Sequence, residues 1–202
     1  MFDSGISLKE LIADLKEEVD VAIPIPNKLY VQWANSLEYL LYTEVIKEQN
    51  EITVNAAEGP IEIEAIDMPD GESRVRFEDV HTVYADDVQL ILSTVASGII
   101  FPNTFYKKDN KIGVNVDVEP DVYRIVYFVK PKLKETDNKD EVSSGNVMLP
   151  IEFIELMKSK LRGEAYRIAN EGDKAANWLN NYNVLLENFK AWIAQKNQPL
   201  GL

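Results

Sequence analysis

Tyr123-Arg124-Ile125-Val126-Tyr127-Phe128-Val129 is the stretch that decides the fold. Seven consecutive residues are β-branched, aromatic or arginine, with no glycine, proline or helix-favouring alanine, which is the composition of a strand. On its N-terminal side the alternation continues. Thr104-Phe105-Tyr106, a turn at Asp109-Asn110, and Ile112, Val114 and Val116 read as a hairpin. Further back, Val88–Thr94 is a short apolar run, and Val75, Phe77 and Val80 follow the turn signal Asp70-Gly71. Ile61, Ile63 and Ala65 alternate with Glu62 and Glu64, as in a half-buried strand. About six antiparallel strands are therefore expected between Glu51 and Leu133.

Beyond this block the period changes to that of a helix on both sides. Leu8, Leu11, Ile12, Leu15 and Val19 recur at helical spacing, with Ser7 as N-cap and Glu10 completing a capping box. Ala22-Ile-Pro-Ile-Pro26 breaks the pattern. Asn27 is expected to cap a second helix running to about Gln49, with the stripe Leu29, Trp33, Leu37, Leu40, Leu41 and Val45. After the strands, Lys134–Asn146 is polar and aperiodic and reads as a flexible loop. Leu149-Pro150 opens a third helix whose stripe is Ile154, Met157, Leu161, Ala165 and Ile168. Glu171-Gly172-Asp173 is expected to end it, with Gly172 left-handed and Asp173 capping a fourth helix that carries Leu179, Tyr182, Leu186, Phe189 and Ile193. So short a turn makes these two helices antiparallel neighbours. The expected fold class is α+β. A four-helix bundle is formed by the N- and C-terminal hairpins, residues 1–50 and 147–202, with an antiparallel β domain, 51–133, inserted between them and a flexible loop at 134–146.

Composition bounds the function. The 202 residues carry 46% hydrophobic and 27% charged side chains, the balance of a globular chain. With no cysteine there is no disulfide framework and no thiolate metal site, so an intracellular protein is expected. The N-terminus lacks a basic start followed by an apolar run, and no stretch has the 18 or so apolar residues of a membrane span, so no membrane contact is expected. Net charge is −13, unevenly spread. From Glu51 to Ile91 eleven acids face two bases, a net of −9, whereas Val147 to the end has six acids and seven bases, a net of +1. The acidic block disfavours gripping phosphates and suits either repulsion of DNA or simple solubility.

Motifs of catalysis are scarce. His81 is the only histidine, and no Gly-x-Ser-x-Gly elbow accompanies it, so a strand-edge residue is its default reading. Asp67, Asp70 and Glu72 lack the spacing of a calcium loop and read as a turn. Asp117, Glu119 and Asp121 alternate on one face and are weighed as a hard-cation site against a solvated strand end beside Pro120. Glycine-rich phosphate loops are absent, so no cofactor is expected. Lys158, Lys160, Arg162 and Arg167 are placed on the outer side of the third helix. Lys158, Arg162 and Arg167 are candidate basic contacts to a partner, against a solvated face with pairs such as Lys160–Glu164.

Three segments together resemble a known family: Val75-Arg-Phe-Glu-Asp-Val-His-Thr-Val-Tyr-Ala-Asp-Asp87, Tyr123-Arg-Ile-Val-Tyr-Phe-Val-Lys-Pro-Lys-Leu133, and Leu149-Pro150 with Ala165-Tyr166, Gly172-Asp173, Ala176, Trp178-Leu179, Tyr182, Leu186 and Phe189. With Trp33-Ala-Asn-Ser-Leu-Glu38 they are similar to tailed-phage head-to-tail adaptors of the tail tubular protein A type. The resemblance implies a structural virion protein of the neck with no catalytic residues, made in the host cytoplasm. It would assemble as a ring, dodecameric in well-known members, between the portal protein and tail or nozzle proteins, with transient contact to genomic DNA. In such a conduit Glu62, Glu64 and Asp67 are the candidate lumen-facing acids. A soluble, non-catalytic assembly or regulatory module that grips a protein through its β unit is the competing reading, and a carboxylate-dependent metal enzyme the weakest.

Overall fold

The computed structural model describes residues 2–56, 61–62, 79–93, 101–108 and 111–197. The chain is α+β and divides into two units, one of residues 1–46 with 130–202 and one of residues 47–129.

The helical unit is built from both chain ends. Helix α1, Leu8–Glu18, starts at Ser7, whose Oγ accepts the Glu10 amide at 3.1 Å. It buries Leu8, Leu11, Ile12 and Leu15, the stripe the sequence shows. Helix α2, Asn27–Leu40, does not use Asn27 as its cap. Pro26 holds that place without a side-chain bond, and Asp140 supplies the capping carboxylate from far along the chain. The helical path continues beyond α2 as a π-helical turn, Leu41–Ile46, and ends at Lys47, whose φ is 50°. Helix α3, Ile154–Ile168, follows a 3₁₀ turn at Ile151–Phe153, and helix α4 spans Gly172–Lys196. Asn170, not Gly172, takes the left-handed position between them, at φ 59°. Its amide donates to Arg167 O (3.2 Å) and the Glu171 amide to Tyr166 O (2.9 Å), a Schellman closure of α3. Leu8, Leu11, Leu41, Leu161 and Phe189 are fully buried in one core drawn from all four helices.

Lys134–Asn146, expected as a flexible loop, makes contacts at several points. Lys134 is buried, Asn35 brackets its backbone through bonds of 2.7 and 3.0 Å, Thr136 bridges Val142, and Asn146 bridges Ser7.

The second unit holds strands β1 (Gln49–Asn55), β2 (Ile61–Glu62), β3 (Val80–Ala85), β4 (Val88–Gln89), β5 (Ile91–Leu92), β6 (Thr104–Lys108), β7 (Lys111–Asn115) and β8 (Val122–Phe128). They form two sheets, ordered β1-β8-β3-β4 and β2-β7-β6-β5, antiparallel except for the β5–β6 pair. The apolar run at 88–94 is thus two short strands in different sheets, with Leu90 buried between them. In β8 the alternation is complete: Tyr123, Ile125 and Tyr127 enter a core shared with Val83, Phe105 and Ile112, while Arg124, Val126 and Phe128 take the other face. The turn at Asp70-Gly71 and the strand residues Val75 and Phe77 lie outside the described residues.

Candidate functional site

The outer face of the β1-β8-β3-β4 sheet carries a polar depression. Register decides who meets there. Arg124 of β8 stands opposite Thr53 of β1 and Tyr84 of β3, and Val126 opposite Glu51 and Thr82. A break in the ladder between Val80 and Thr82 leaves His81 without a register partner. Its ring lies against Phe128, centroids 5.0 Å apart at 53°.

These side chains surround an open depression of about 460 Å³. β1 contributes Gln49, Asn50 and Glu51 to its wall, β3 contributes His81, Thr82 and Tyr84, and Arg124, Val126 and Gln89 complete it. Arg124 is fixed from two sides. Its guanidinium carbon sits 4.1 Å from the centre of the Tyr84 ring, and Nη1 donates to Glu51 Oε2 at 3.1 Å. Arginine needs both supports, since its planar fork is useful only when its long stem is held. Gln89 Nε2 donates to Thr82 Oγ1 at 3.4 Å. Among the described residues the Gln49 amide and the His81 imidazole have no hydrogen-bond partner. The site is polar, formally neutral through the Arg124–Glu51 pair, and lined in part by the half-buried Val126.

The residues singled out from the sequence are not drawn into one site. Only the backbone of Glu62 is described, in β2 opposite Lys111, and Glu64 and Asp67 lie outside the described residues. Asp117 accepts from Asn103 at 3.3 Å, whereas Asp121 contributes its backbone amide, which donates to the Asp86 carboxylate. Among the described residues no group of three acidic or histidine side chains is placed to hold a metal ion.

Arg162 is a correction. It is 8% exposed rather than on the outer side of α3, ion-paired with Glu18 and Glu155 and stacked over Trp178 with its guanidinium carbon 4.5 Å from the ring centre. Burial opposes its charge, but the two carboxylates raise its pKa, while its hydrogen bond holds Glu18 below the usual carboxylate range. The physical reason is the width of the buried face of α3, which runs unbroken from Leu161 to Tyr166 and includes Arg162. Lys158 is half-buried and Arg167 exposed and paired with Glu164, so the three do not form one basic patch. The Lys160–Glu164 pair is present at 2.7 Å.

The sheet-face site was within reach of the sequence only in part. The alternation of 123–129 puts Arg124 on the face opposite Tyr123, but its pairing with Tyr84 and Glu51 depends on a strand register that no local pattern carries. In comparison with known proteins, no family model and no curated protein matches the chain.

Proposed function

We propose that the protein is a non-enzymatic virion component, a head-to-tail adaptor whose copies form a ring between portal and tail and frame part of the DNA conduit. The observation that carries this reading is the chain order: a helical unit assembled from both ends, with a β unit between. That is the arrangement the resemblance implies. The motif residues fall on regular elements, Trp33 to Glu38 in α2, Val80 to Ala85 in β3, the 123–128 run in β8, and Trp178, Tyr182, Leu186 and Phe189 in α4. In this reading the four helices act as one bundle. Helix α4 supplies surface for neighbouring copies, since only Ala175, Phe189 and Ile193 of its 25 residues are buried.

A ring assigns the net −9 of Glu51–Ile91 a task, because a wall of like charge keeps the duplex from adhering during ejection. Native mass spectrometry and electron microscopy of the purified protein, alone and mixed with its portal protein, test the proposal. A closed ring, formed alone or on the portal, supports it. A chain that stays monomeric in both samples and does not bind the portal overturns it.

A further inference from the structure

The depression on the β1-β8-β3-β4 face answers to a ligand that the adaptor reading does not require. The geometry points to a binding site for a neutral saccharide, seated between Gln49, Glu51, His81 and Arg124.

Charge decides the class first. Arg124 and Glu51 neutralise each other across 3.1 Å, and the chain as a whole carries −13. An anion would meet a guanidinium whose charge Glu51 already offsets, while approaching a negative protein. A cation would meet a carboxylate whose charge Arg124 already offsets. Adjacent hydroxyls of a sugar ring need no net charge to bind. One hydroxyl oxygen accepts from a guanidinium N–H while its neighbour donates to the carboxylate, so the ion pair is bridged and stays intact.

Unused hydrogen-bonding capacity comes next. Among the described residues the exposed amide of Gln49 and the imidazole of His81 have no such partner, and both groups are able to donate and to accept. A hydroxyl also does both, which makes a polyol the natural complement to amide and imidazole side by side. Val126 gives the site an apolar spot for the C–H face of a sugar, with Tyr84 also in the lining. At about 460 Å³ the depression lies in the size range of small-molecule sites, roughly 300–1,000 Å³. The walls are paired strands, and Arg124 is already immobilised on Tyr84, so little ordering is left for binding to impose.

A ¹H–¹⁵N NMR titration of the full chain tests this, with maltotriose, lactose and tri-N-acetylchitotriose as neutral probes and glucose 6-phosphate as the anionic one. The expected result is saturable movement of the Gln49–Glu51, His81–Tyr84 and Arg124 resonances with at least one neutral probe, and tighter binding of that probe than of the phosphate. Gln49→Ala and His81→Ala, both at exposed positions, should each weaken it about 3- to 10-fold, the loss of one hydrogen bond. No saturable shift with any neutral probe at its solubility limit overturns the site. So does a preference for glucose 6-phosphate, or neutral binding indifferent to both substitutions. None of these outcomes bears on ring assembly.

Discussion

Lys134 and Glu38 form an ion pair in the helical unit with side chains only 5% and 1% exposed. Glu38 also accepts the Met148 amide at 2.9 Å, so one carboxylate joins α2 to two points of the returning chain. A buried pair of this kind adds little net stability, yet losing one member strands the other charge. Lys134→Met should therefore cost about 3–5 kcal/mol. Glu38→Gln added to Lys134→Met should restore most of that loss, since Gln keeps an acceptor for Met148 and no charge stays buried. Urea unfolding of the two variants gives the comparison. Equal losses would mean that the pair is worth more than its desolvation costs.

The acid limb of stability should separate two glutamates of opposite sign. Arg162 holds Glu18 below the ordinary value near 4.5, so the unfolded chain takes up that proton first. Its contribution is complete above 4.5 and is lost as pH falls through the folded pKa. Burial raises Glu38 above 4.5, so there the native state binds the proton first and stability falls as pH rises through the window above 4.5. Glu18→Gln should flatten the profile only below that value, and the effect should shrink in salt because Glu18 is 45% exposed. Urea midpoints measured across the acidic range check both slopes.

Gly163 sits where α3 meets α4. A Cβ built there would lie 2.7 Å from Leu179 Cγ and 3.3 Å from its backbone nitrogen. Alanine gains about 1 kcal/mol of helix propensity, whereas overpacking costs about 1–3 kcal/mol, so Gly163→Ala should destabilise. Leu179→Ala opens the space, and in that background Gly163→Ala should turn neutral or stabilising. Thermal melts of the two single variants and the double variant decide it. Additive losses would show that the helices relax apart instead.

Lysines in place of Glu62, Glu64 and Asp67 should change the acidic block from DNA-repelling to DNA-retaining. Three reversals move the net charge of Glu51–Ile91 from −9 to −3 and supply cations that release counterions from phosphates. The parent protein should bind duplex weakly even at low salt, and the triple variant should show salt-sensitive retention in a filter or fluorescence assay. Tight duplex binding by the parent would remove the conduit role.

What the sequence revealed was whatever depends on neighbours within one or two turns. Ser7 as a cap, the α1 stripe, the β6–β7 hairpin and the in–out pattern of β8 are local, and each stands in the structure as read. What it concealed depends on residues far apart in the chain. Gly172 reads as the left-handed residue because glycine is the commoner choice there, yet Asn170 takes that place, since asparagine tolerates φ 59° as well. Polar Lys134 read as solvated because nothing nearby announces that Glu38 waits for it. Arg124 in the candidate site is the same case: its face was legible, its partners Tyr84 and Glu51 were not.

Asp140 is the clearest long-range device of that sort, and its loss should be measurable. Its Oδ2 accepts the Asn27 amide at 2.6 Å and its Oδ1 the Lys28 amide at 2.7 Å, while its own carbonyl accepts from Asn27 Nδ2 at 2.7 Å. The first amides of α2, left without intrahelical partners, are thereby satisfied from a residue 113 positions away, and the carboxylate lies at the positive end of the helix. Asp140 reaches this place in a left-handed conformation, φ 63°, which aspartate and asparagine tolerate better than most side chains. Asp140→Ala removes the cap and strains that φ, and it should cost about 1–2 kcal/mol. Asp140→Asn keeps one acceptor and the conformation, and should cost less than half as much. Hydrogen exchange should locate the damage in faster exchange at Asn27 and Lys28, with α4 unchanged. Protection of both amides that survives Asp140→Ala would show that Pro26 and the chain before it cap α2 without help.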